Sequence, residues 1–181
     1  ANSTKNPSLQ GWAFELEQID LIRTSIDSNG GIVKYVTNGK GWSFHPTSQM
    51  EFNETNFTCE VVESATVIWC RKWNQGCFDM AFYMNTTLIT VQFTVQKSHS
   101  LKPDYIRKLR KALLDKDVPV DKVVHIGVIE KNWEEFNFNP TTTGVGKQDG
   151  KKDPDFKIVV CHSPPLKLTS KQDVECDFAE P

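Results

Sequence analysis

Glu15 puts a carboxylate where a charge needs a reason. It falls three residues after Trp12 and four before Ile19, inside an apolar series that continues through Ile22 and Ile26, and away from Glu17, Asp20 and Asp27. A carboxylate on such a face must be paired, neutralised or metal-bound, unless it is a surface Glu at the stripe edge or one arm of an ion pair. A second acid and an amide come from a hairpin. Its turn at Asn85-Thr86 pairs residues whose numbers sum to a constant, setting Phe82 against Ile89 and Asp79 against Gln92. Opposed residues share a face with Cβ atoms ~5 Å apart. Alternation puts Thr90, Gln92 and Thr94 on that face, while Ile89, Val91, Phe93 and Val95 point away. If the helix carrying Glu15 packs over the polar face, Glu15, Asp79 and Gln92 converge as three oxygen donors, a hard set suited to Mg²⁺.

Those donors need elements to carry them. Trp12, Leu16, Ile19, Ile22 and Ile26 predict the buried stripe of a helix from Trp12 to Ile26, ended by Asn29-Gly30-Gly31. Phe14 and Leu21 lie on its other side, so the helix is expected to pack deep. A short strand from Ile32 to Val36 precedes a loop from Asn38 to about Thr58. Val61 to Cys70, Cys77 to Met84 and Leu88 to Val95 read as strands, the last two as the hairpin. Pro103 opens a helix to about Asp115 whose stripe is Ile106, Leu109 and Leu113, with Arg107, Lys108, Arg110 and Lys111 fanning outward. Lys122 to Ile129 reads as a buried strand. Asn137 to Asp155, rich in Thr, Gly, Asn, Asp and Lys, is expected to be a long mobile loop before a last strand from Phe156 to Cys161. The order predicts one α/β domain over residues 1–181, a mixed central sheet with flanking helices.

The series Gly11-Trp12-Ala13-Phe14-Glu15, Phe78-Asp79 and Gln92-Phe93-Thr94 resembles the G-x-x-F-E, D and (E/Q)-x-K motifs of restriction-endonuclease-like, or PD-(D/E)XK, nucleases. Gln92 to His99, followed by Leu101-Lys102, resembles the Q-x-T-V-x-x-x-H segment of Crinkler effectors and retrotransposon-hot-spot proteins, whose C-terminal modules often have this fold. The resemblance covers roughly residues 11–129 and implies an α-β-β-β-α-β core. It further implies a metal-dependent nuclease or nuclease-derived DNA-binding effector module, in which Glu15, Asp79, Gln92 and the Phe93 main-chain carbonyl hold Mg²⁺ or Mn²⁺ beside a phosphodiester. A nuclear setting, an attached ATPase domain upstream and a host protein as partner belong to the same expectation. Thr94 stands where the family places lysine and supplies neither charge nor basicity. Lys97, Lys102 or His99 could reach back in its stead, His99 being equally readable as a structural histidine at a strand end. Gln92 and Thr94 together keep open the alternative of a catalytically inactive nuclease fold that binds protein or nucleic acid.

Composition bounds these readings. The formal net charge of −2 gives no general basic excess for binding a duplex, so any phosphate-binding surface is local: Arg107, Lys108, Arg110 and Lys111, or Lys147, Lys151 and Lys152. Such patches are more often simply a solvated charged face. No apolar run approaches the ~20 residues of a membrane span. Five cysteines, odd in number and without C-x-x-C, argue against a disulfide framework or zinc knuckle and favour a reduced compartment. The sequons at Asn2, Asn53, Asn56 and Asn85 pull toward a secreted glycoprotein instead. Gly144-Val145-Gly146-Lys147-Gln148 fails as a P-loop, because Thr141 and Gln148 occupy its first-glycine and Ser/Thr positions. Trp69 and Trp73, beside Arg71 and Lys72, read as core aromatics before they read as base-stacking platforms.

Overall fold

The computed structural model describes residues 7–29, 33–37, 40–44, 46–52, 65–70, 77–129, 137–140 and 156–162, with side chains described for 9–24, 26, 46–52, 65–70 and 77–129. The elements are α1 (Pro7–Asn29), β1 (Val33–Thr37), β2 (Lys40–Phe44), β3 (Ser48–Phe52), β4 (Ala65–Cys70), β5 (Met80–Met84), β6 (Thr87–Thr94), β7 (Ser98–Leu101), α2 (Pro103–Leu114), β8 (Lys122–Ile129), β9 (Asn137–Pro140) and β10 (Phe156–His162). The protein is α/β, with a mixed sheet ordered β2-β1-β10-β8-β6-β5-β4-β3 and a small parallel pair, β7-β9. After α1 and the strands β1 to β3, the chain runs β4, β5, β6, α2, β8.

The hairpin β5-β6 forms as its turn chemistry dictates. Phe82 faces Ile89 and Met84 faces Thr87, across Asn85 and Thr86 at φ 47° and 62°. Positive φ at both central residues is what a two-residue turn needs to follow the right-handed twist of its strands. From β6 the chain crosses through α2 and returns parallel in β8, with Thr90 beside His125. Such a crossover must lay its helix on one face of the sheet.

Two cores result. On one face, Phe14 and Ile22 of α1 pack on Trp69, Phe82, Val91 and Phe93, with Phe14 and Phe93 meeting edge to face at 6.4 Å and 84°. On the other, Ile106, Leu109 and Leu113 of α2 cover Ile68, Tyr83 and Leu88. The stripe expected for α2 is therefore the buried one, and Pro103 opens the helix as predicted.

Three expectations need correction. The buried side of α1 is Phe14, Gln18 and Ile22, with Ile19 and Ile26 at its border, while Trp12 and Leu16 are 52% and 51% exposed. Apolar residues surround this helix, so its own pattern does not choose a face and the docking site does. The segment 38–58 is not all loop, since it contributes β2 and edge strand β3, the latter parallel to β4. The stretch expected to be mobile from Asn137 begins instead with β9 on β7. Residues 141–155, including Lys147, Lys151 and Lys152, lie outside the described residues, as do Arg71, Lys72, Trp73 and His45. Trp69 is a core residue at 6% exposure.

Candidate functional site

The end of the β5-β6 pair is irregular, and the irregularity positions Asp79. Paired residues stop at Met80 and Val91. The Asp79 N–H also donates to the Val91 carbonyl, at 2.8 Å, so two residues oppose one, the pattern of a β-bulge. Asp79 thus does not face Gln92 as the extrapolated register requires. Its Oδ2 turns into the ladder and accepts from Phe93 N–H at 2.7 Å. A bulge re-aims a side chain while the neighbouring strand stays regular, which is why bulges recur beside active sites.

This turn brings Asp79 to Glu15. Gly11 of α1 lies over Val95, where a Cβ on the glycine would sit 3.8 Å from the valine Cγ2, so the first turns of the helix cover this end of β6. Burial raises the Asp79 pKa well above the carboxylate range, and the Glu15 charge raises it further against the opposing effect of Phe93 N–H. Glu15 is itself raised by burial. Its Oε1 is buried without a hydrogen-bond partner. Two acids crowded in a desolvated place resist ionising together unless a cation joins them.

Gln92 projects from the opposite face of β6. The expectation that α1 covers the polar face is overturned: α1 packs on Val91 and Phe93, and alternation sends Thr90, Gln92 and Thr94 toward the α2 side. Gln92 Nε2 lies 3.4 Å from His99 Nε2, and Gln92 Oε1 is buried without a partner. Thr94 is buried, with its Oγ1 accepting from Gln96 N–H at 3.1 Å. The structure therefore joins Glu15 to Asp79 and Gln92 to His99.

A residue beyond the expected set belongs to this polar face. His125, fully buried, holds Thr90 Oγ1 at 2.9 Å through Nδ1. Burial, and then the field of His99, push its pKa down to about 3, so it is neutral. Strand periodicity alone does not reveal it, because the parallel register that puts His125 beside Thr90 is set through the intervening α2.

The cations stand farther out. Lys97 and Lys102 are exposed. Lys102 shares the neighbourhood of Asp79: its main-chain amide bonds Cys77, and the charges of both residues act on that thiol, which burial pushes up to about 11. On α2, Arg107 pairs with Asp104 at 2.9 Å and Lys111 with Asp115 at 2.5 Å. Lys108 stacks on Tyr105 at 5.2 Å, and Arg110 donates to the Val120 carbonyl at 3.1 Å. The helix presents basic groups, but two have acidic neighbours.

Among the described residues no group of three or more His, Cys, Asp and Glu is arranged to hold a metal ion. No helix among them is long and apolar enough to cross a membrane. Comparison with protein-family models, with curated proteins and with solved structures finds no match to this chain.

Proposed function

We propose that this domain binds a divalent cation between Glu15 and Asp79, without the Gln92 amide expected as third donor, which lies on the other face of β6, and acts as a metal-dependent nuclease of the restriction-endonuclease-like type. The observation that carries the reading is the adjacency of two desolvated carboxylates, with Glu15 Oε1 buried and unpartnered. Orphaned buried oxygens cost stability and are retained where a ligand satisfies them. Oxygen-only donors suit Mg²⁺ or Mn²⁺. The bound ion would polarise phosphate and lower the pKa of water. Asp79 and Glu15 supply the negative charge that retains it, and Lys102, in the Asp79 neighbourhood, is the candidate to neutralise charge on phosphate. The succession β4-β5-β6-α2-β8 after a helix on the opposite face also fits the α-β-β-β-α-β core of that superfamily.

The substrate we propose is nucleic acid, DNA first, with Arg107, Lys108, Arg110 and Lys111 as phosphate contacts, and a nuclear effector role in keeping with the Crinkler-like segment. The second reading, an inactive nuclease fold that binds nucleic acid or protein, draws on Thr94: its hydroxyl is already engaged by Gln96 N–H, and no lysine stands there. The experiment is plasmid and RNA cleavage across Mg²⁺ and Mn²⁺ titrations, alongside calorimetric Mn²⁺ binding, for the wild type and Asp79→Ala. Cleavage lost in a folded Asp79→Ala supports the nuclease. Mn²⁺ binding without cleavage selects the inactive fold, and absence of both refutes the metal centre.

A further inference from the structure

The face of α1 turned away from the sheet is apolar. Leu9, Trp12 and Leu16 recur at i, i+3 and i+7 and are 63%, 52% and 51% exposed, with Ala13 exposed among them. They lie on the side of the helix opposite Phe14, Gln18 and Ile22, which are buried. Apolar residues scattered singly over a surface are ordinary, whereas a contiguous stripe of them marks a contact surface.

Charge limits what the stripe can meet. Glu17 and Asp20, both exposed, flank its C-terminal half. The first turn of α1 has no acidic residue to complement the positive end of the helix dipole. A second α1 laid antiparallel, with Leu9 of each copy on Leu16 of the other, answers both. Trp12 then meets Ala13, whose small side chain leaves room for the indole, and Glu17 stands level with Ser8 in the first turn of the other helix. At about 1.5 Å of rise per residue the two Glu17 are about 14 Å apart along the axis and the two Asp20 about 22 Å, beyond the screening length of about 8 Å at physiological salt. A parallel pair would instead set each acid beside its own copy. The large exposed apolar side chain of α2 among the described residues is Leu114 alone, so a second copy's α2 matches the stripe less well.

We propose that the outer face of α1 is a homodimer interface: two copies of this chain pair their α1 helices antiparallel about a two-fold axis near Trp12 and Ala13, covering Leu9, Trp12 and Leu16. Such a contact uses the same patch on both copies and closes on itself, as the commonest oligomers do. The pairing does not depend on the metal reading above. Because the patch is small the dimer is weak, with Kd on the order of 1–100 μM.

Sedimentation equilibrium of the full chain over a concentration series tests it. Wild type is expected to pass from monomer to dimer between about 1 and 100 μM. Leu9→Ser/Leu16→Ser, at two exposed positions, should unfold thermally like dilute wild type and weaken association at least about tenfold. Charge then reads the register. Leu9→Lys/Leu16→Lys sets like charges against each other in either orientation and is expected to stay monomeric. Leu9→Lys/Leu16→Glu sets Lys on Glu in the antiparallel pair alone and is expected to dimerise within about tenfold of wild type. A wild type still monomeric at about 500 μM, or a dimer undiminished in Leu9→Ser/Leu16→Ser, overturns the interface. Leu9→Lys/Leu16→Glu no better at dimerising than Leu9→Lys/Leu16→Lys overturns the antiparallel pairing, and the proposal with it.

Discussion

Replacing Asp79 with Asn is expected to stabilise the metal-free protein at neutral pH while removing its cation site. The substitution keeps an oxygen able to accept from Phe93 N–H, now as a neutral hydrogen bond. Charge-assisted bonds contribute about 1.5–3 kcal/mol and neutral ones about 0.5–1.5, so weakening this bond costs about 1 kcal/mol. Against that, the variant removes a carboxylate whose ionisation is opposed by burial and by Glu15. The folded pKa of Asp79 is raised above its unfolded value, so over the interval between the two the unfolded chain has released a proton that the folded chain still holds. Stability is therefore complete below the ordinary carboxylate range and declines as pH rises toward the folded pKa, by about 1.36 kcal/mol for each pKa unit of the shift. The relief of this opposed charge is expected to outweigh the weakened bond, giving a gain of the order of other single stabilising substitutions, about 0.5–2 kcal/mol, or a Tm rise of about 1–8 °C for a chain of this size. Thermal unfolding in chelator should place Asp79→Asn above wild type at about pH 7.5 and level with it or below near pH 4, where both carry a neutral group. Saturating Mn²⁺ should raise wild type alone, by about 2.7 kcal/mol at 100 times Kd. A variant less stable than wild type at both pH values would refute the reasoning and make Asp79 a structural strut for Phe93 N–H.

Other expectations concern the frame and its surface. Ile22→Ala, in the fully buried core under α1, should cost about 2–5 kcal/mol by chemical denaturation, whereas the exposed Leu16→Ala should stay within about 0.5 kcal/mol; equal losses would mean that the helix is rotated about its axis. Thr86→Gly should stabilise the protein by about 1 kcal/mol in urea, because Thr86 holds φ 62° and only glycine adopts that conformation without strain. Duplex DNA binding, followed by anisotropy against salt, should have a slope no steeper than about −4 in log–log form, since Arg107, Lys108, Arg110 and Lys111 are the cations of α2. A steeper slope would place the phosphate contacts on another surface.

Local chemistry made part of this protein legible in its sequence. The two-residue turn sets the β5-β6 register, because Asn85 and Thr86 admit only a narrow set of backbone angles between strands of fixed twist. The i, i+3, i+7 spacing of Ile106, Leu109 and Leu113, with Pro103 ahead of them, determines where α2 begins and which side it buries. Glu15 and Asp79 were visible as acids out of place, one in an apolar helix and one at a strand start. Their meeting was expected, but by way of a polar face of β6 beneath α1, which is not how the structure makes it. It depends on the bulge at Asp79 and on which side of α1 docks, and for a helix apolar on several sides the sheet makes that choice. The partnership of Gln92 with His99 and the placing of His125 beside Thr90 are likewise tertiary. The first requires β6 and β7 to fold back on one another, and the second requires a parallel register set by the length and seating of α2. Periodicity says which residues share a face of one element; only packing says what that face meets.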